Sequence, residues 1–98
     1  MKQIEFETHI AAGNISEIVI DSLVIDIDRL PTCKWYIVVH LKVGSTAAVH
    51  AARGDVKYFA TIDTLVRFVR DCGWGGEMLL SRIDATIPAE KKANGYYV

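Results

Sequence analysis

The segment T-I-D-T-L-V-R-F-V-R-D-C-G at 61–73 carries a complete set of helix signals, and it constrains the rest of the chain more than any other stretch. Thr61 is a natural N-cap, because its side-chain oxygen can accept from an otherwise unpaired N–H of the first turn. Asp63 puts negative charge where the helix dipole is positive. Ile62, Leu65, Val66, Phe68, Val69 and Cys72 recur at helical spacing as one apolar stripe, and Gly73 supplies the left-handed stop. Every other ordered segment reads as strand or turn. One helix must then cover the apolar face of a sheet. The expected fold is α+β: a mostly antiparallel four- to five-stranded sheet with one amphipathic helix packed on one face, in the order β-β-β-β-α-β, a two-layer sandwich.

The strands are read from period-2 alternation. Ile4, Phe6, Thr8 and Ile10 alternate with Gln3, Glu5, Glu7 and His9, predicting a first strand over 3–10 and a turn at Gly13-Asn14. In the run Ile15 to Leu30, Ile18 and Ile20 have one parity, whereas Leu23, Ile25 and Ile27 have the other. Either a bulge lies near Asp21-Ser22, or the two halves serve different faces or partners. Leu30-Pro31-Thr32 is expected to end that strand. Trp35, Ile37, Val39, Leu41 and Val43 share one face of a strand over 34–43, with a hairpin turn at Gly44-Ser45-Thr46. A small-residue strand (47–52) follows, expected under the helix, and then a turn at Arg53-Gly54-Asp55. A last strand is read over 77–85, with a polar, frayed tail at 89–98.

Length and composition bound the function. The chain has 98 residues, which predicts one domain (1–98). Apolar residues at 51% and charged residues at 23% place it among globular chains rather than disordered ones. With a net charge of -1, no long-range field favours a polyanion, so nucleic acid is an available partner but not a favoured one. The charged N-terminus and short apolar runs give no secretion signal and no membrane span, so a cytoplasmic location is expected. Arg53-Gly54-Asp55 is therefore a coincidental match to an integrin tripeptide. Cys33 and Cys72 lack the spacing of a metal site and read as a reduced loop thiol and a small helix residue. One helix cannot cover both faces of such a sheet, and a homodimer through sheet face or edge is the economical way to bury the rest.

No residue pattern names a reaction. His9, His40 and His50 have no metal-ligand spacing, although His40 and His50 flank a hairpin and could be cross-strand neighbours. No nucleophile signature is present, and Trp74-Gly75-Gly76 follows a helix rather than preceding one, so it cannot cradle a phosphate. No catalytic, cofactor or metal site is expected. Two charged sets remain as contact surfaces. Arg53, Lys57, Arg67 and Arg70 could form a basic patch for phosphates or an acidic protein. Asp21, Asp26 and Asp28, with Glu17, form an acidic stripe that could mimic nucleic acid.

The segment 52–73 also resembles a pattern found in small accessory proteins of bacterial plasmids and integrative elements, through Ala52, Arg53, Gly54, Lys57, Phe59, Thr61, Ile62, Asp63, Val69, Arg70 and Gly73. Such proteins are associated with partition or replication, and mobile elements also encode anti-defence factors. The resemblance implies a non-enzymatic module that binds a macromolecule, a protein partner above all. It implies two alternatives: a nucleic-acid accessory factor using the basic set, or an inhibitor of a bacterial defence complex, anti-CRISPR-like, using the acidic stripe.

Overall fold

The computed structural model describes residues 1–27 and 30–81, the side chains of 25–27 and 30–31 excepted. Its elements are α1 (Gln3–Ala12), β1 (Ile15–Ile27), β2 (Leu30–Leu41), β3 (Thr46–Ala48), α2 (Ile62–Asp71) and β4 (Leu79–Leu80). The sheet order is β3-β2-β1-β4, with β1–β2 and β2–β3 antiparallel and β4 parallel to β1. The class is α+β as expected, but the sheet is mixed and the described residues form two helices.

The expected first strand is the helix α1. The alternation of Ile4, Phe6, Thr8 and Ile10 is coincidental: Phe6 is fully buried while Ile4 is 67% exposed. Local chemistry favours the helix instead. The Glu5 carboxylate accepts the Lys2 backbone N–H at 2.8 Å, satisfying one orphan donor at the N-terminus. That hydrogen bond, more than any nearby charge, lowers the Glu5 carboxyl below its usual value. Gly13, at φ 70°, then ends the helix, and the Gly13 and Asn14 N–H groups donate to Ile10 and His9 carbonyls. The turn expected at Gly13-Asn14 is a helix stop.

β1 keeps one register from Glu17↔His40 to Ile27↔Leu30, and its only shift lies between Ile15 and Glu17. No bulge interrupts Asp21-Ser22. The two parities serve two faces: Ile18, Ile20 and Ser22 are buried, and Leu23 is 41% exposed on the other side. β2 also starts earlier than expected, running through Pro31 and Thr32. Trp35 exchanges both backbone hydrogen bonds with Phe59, away from β1. Period 2 directs the nitrogen of Pro31 to that same side, where no described strand needs a donor.

α2 is as the sequence predicts. The Thr61 side chain accepts the Thr64 N–H at 3.2 Å, and Gly73 follows the helix at φ 110°. Leu65 and Val69 are fully buried, and Ile62, Val66, Phe68 and Cys72 pack around the core. The helix lies over β2, and of the small-residue segment 47–52 only Ala47 and Ala48 are strand, with Val49 fully buried in the same core as Leu65 and Val69. That segment is flanked by the N-terminus, where the Met1 ammonium donates to the Ala48 carbonyl at 2.5 Å and the His50 N–H donates to Met1.

Both helices share the inner face of the sheet. The Phe6 and Phe68 rings stack at 6.4 Å, Phe68 meets Phe59 at 5.3 Å, and Ile10 lies beside Gly73. Beneath them Ile18, Ile20, Ile37, Val39 and Val49 complete the core. α2 carries the chain from the β3 edge across this face to the opposite edge, so β4 lands beside β1. Within the described part of 77–85 only Leu79–Leu80 is strand. The remainder of that predicted strand, and the tail 89–98, lie outside the described residues.

Candidate functional site

No described element covers the outer face of the sheet. The ladder registers build it in rows. Leu79, Val19, Val38 and Ala48 are successive cross-strand partners and form an apolar row through all four strands. On one side Asp21 pairs with Tyr36, whose ring meets Tyr58 edge-on at 5.8 Å. On the other, Glu17, His40 and Thr46 are partners, and Leu23 pairs with Lys34 beyond the tyrosines. Leu23, Tyr58 and Leu79 are 41%, 41% and 47% exposed, substantial apolar area for one face to leave in water.

Asp21 ties two parts of this surface together. Its carboxylate accepts the Ser22 N–H at 2.8 Å. Ile20 directs its carbonyl to Ser81 of the β4 edge, so Ser22, two residues on, presents its N–H along the same edge. Capping that donor blunts an edge that could recruit another strand. Burial pushes the Tyr36 phenol above its usual value, reinforced by the charge and the hydrogen-bonding carboxylate of Asp21.

The basic set does not form one patch of free cations. Lys57 lies back over the rings of Phe59 and Phe68, 5.4 and 5.2 Å from their centroids. Arg70 donates to the Trp74 and Gly76 carbonyls at 2.9 and 2.6 Å, clamping the loop after α2. The Trp74 indole N–H closes that loop onto the Glu77 carbonyl, and a side chain at Gly76 would meet the Trp74 ring at 2.9 Å. This packing is what the Trp-Gly-Gly sequence serves. Arg53 is exposed on its turn and Arg67 on α2. Sequence reasoning missed two other basic residues: Lys2 and His50 join Lys57 around a groove of about 380 Å³ at the start of α1. The only sequence signal for this was the N-terminal position of Lys2, hidden by the strand assignment.

The acidic stripe is likewise divided. Asp21 is on the outer face, and Asp26 sits at a β1 position of the opposite parity, paired with Pro31. Asp28 lies outside the described residues. The histidines do not converge. His9 is on α1 beside Asn14, His40 is on the outer face, and His50 bridges Lys2 and Val56 rather than β2. Among the described residues no three His, Cys, Asp or Glu side chains group as a metal site. Both cysteines are free, and Cys33 belongs to β2, not to a loop. No helix among the described residues is long and apolar enough to cross a membrane. No protein family matches this chain, and no curated protein or solved structure matches it either.

Proposed function

We propose that this protein is a non-enzymatic interaction module of a bacterial mobile element that acts by binding a protein through the outer face of its sheet. One observation carries this reading: an apolar row, Leu79–Val19–Val38–Ala48, framed by Tyr36 and Tyr58 on one side and by Glu17 and His40 on the other. An apolar centre with aromatic residues and a polar rim is the composition of a protein contact. The resemblance of 52–73 to plasmid and integrative-element accessory proteins supports the mobile-element setting. A photo-crosslinking side chain at position 38 should give protein adducts in cells, whereas the same group at position 67 on α2 should give none. Adducts from position 67 alone would sink the assignment.

A second reading, a nucleic-acid accessory role for Arg53, Lys57, Arg67 and Arg70, draws support from the groove that gathers Lys2 and His50 with Lys57. It requires binding that weakens steeply with salt. Retention of that binding after Lys2→Glu and Arg53→Glu would exclude it. The third reading, defence inhibition through Asp21, Asp26 and Asp28, has the least support, since Asp21 and Asp26 have opposite strand parity.

A further inference from the structure

The outward polar residues of the two central strands are segregated by charge. β1 presents the carboxylates Glu17 and Asp21, whereas β2 presents no carboxylate, only the Lys34 ammonium and the His40 imidazole. Between them lies the Val19–Val38 pair, at the centre of the apolar row. We infer that the occupant of this face is a second copy of the same chain, stacked sheet-on-sheet about a two-fold axis parallel to the strands and midway between β1 and β2. This rests on the reading of the outer face as a protein contact and names its partner.

The axis follows from charge. A two-fold along the strand direction places β1 of one copy over β2 of the other. Val19 then faces Val38 of the second copy, Glu17 faces His40, and Asp21 faces Tyr36, with Lys34 beyond it. Every such contact occurs twice, as an isologous interface requires. A two-fold running across the strands would instead set β1 over β1 and bring Glu17 against Asp21, acid on acid. Sheets stack ~10 Å apart and cross at about 30°, so the register holds best at the centre, where the valines and tyrosines lie. Strands ~4.8 Å apart with a rise of ~3.3 Å per residue make the face about 19 Å wide along its apolar row, and about 20 Å long only on β1 and β2, since β3 and β4 are short. That footprint belongs to a small interface, so the dimer should be concentration-dependent. Both described helices occupy the far face of each sheet, so no described element lies on this one.

Two charge reversals test it. Sedimentation velocity of the full chain across ~10 to ~500 µM should show a monomer–dimer equilibrium. Glu17→Lys with Asp21→Lys sets base over base at both copies of the contact, and Lys34→Glu with His40→Glu sets acid over acid. Each variant alone should be monomeric, and an equimolar mixture should recover a heterodimer, because the reversed strands are again complementary. If the Asp21 change unfolds the chain through the Ser22 N–H it caps, Glu17→Lys and His40→Glu provide the same pair of complementary reversals. A native chain that stays monomeric overturns the second copy as occupant, and the face then depends on the crosslinking result alone. A native dimer unaffected by either reversal is joined elsewhere and overturns the proposal, and the face again depends on the crosslinking result. Folded reversals that dissociate but fail to pair with each other overturn the axis.

Discussion

Replacing Ile4 and Phe6 one at a time separates the helix from the strand it resembles in sequence. On a strand these two residues would share a face and be lost at comparable cost. On α1 they are two positions apart and point in different directions, so Phe6 is 0% exposed and Ile4 is 67% exposed. Phe6 stacks on Phe68 and belongs to the same core as Ile18, Ile37 and Val39. Truncating a fully buried phenylalanine costs about 3–5 kcal/mol. A domain of this size holds ~5–15 kcal/mol in total, so Phe6→Ala removes about a fifth of the stability or more. With a urea slope of about 1–3 kcal/mol/M, the midpoint should fall by on the order of 2 M. Ile4→Ala should stay within ~0.5 kcal/mol, because little surface is lost and alanine is the better helix former. Phe6→Leu retains an apolar side chain and should shift the midpoint less, in the same direction. Urea titrations followed by far-UV circular dichroism give all three values. A midpoint shift for Ile4→Ala as large as that for Phe6→Ala would refute the helix and restore the strand.

Thr61→Ala removes the acceptor for the Thr64 N–H and should cost about 1 kcal/mol, read as a urea midpoint shift at unchanged slope. Arg70→Ala should cost ~1 kcal/mol with little salt dependence, since the guanidinium bonds neutral carbonyls, and a loss that vanishes in high salt would contradict that role. Burial, then the charge and hydrogen-bonding carboxylate of Glu7, push the Cys72 thiol from 9.0 up to about 11. In a Cys33→Ser background the native thiol should therefore alkylate at pH 8 roughly 100-fold more slowly than the urea-unfolded thiol, and equal rates would refute the shift. The sign of the linked stability follows: the unfolded thiol ionises first, so the contribution of the protonated thiol is intact below pH 9.0 and is lost as pH rises through about 11.

α2 and the inner face of β2 were legible in the sequence because their signals are local. Thr61, the stripe Leu65–Val69–Cys72 and Gly73 lie within a few turns of one another, and Ile37 and Val39 alternate on one strand. α1 was not legible, since short apolar alternation can also arise on a helix, and only burial of Phe6 against Phe68 separates the two. The parity change between Ile20 and Leu23 was visible, but whether it marked a bulge or two faces depended on the β1–β2 register. The fate of the basic residues was beyond local pattern altogether. Arg70 spends its donors on carbonyls of the following loop, and Lys57 folds over Phe59 and Phe68, both consequences of where α2 lands. By itself the sequence determined the α+β class, the bounds of α2 and the inward turn of Ile37 and Val39, because capping, periodicity and alternation act over a few residues, but not where β2 ends, since Val43, expected on the same face, lies beyond it and is exposed. Tertiary structure alone decided the strand order, the parallel β4 and the outer face. Rows such as Leu79–Val19–Val38–Ala48 join residues distant in sequence, and only the crossing of α2 brings them side by side.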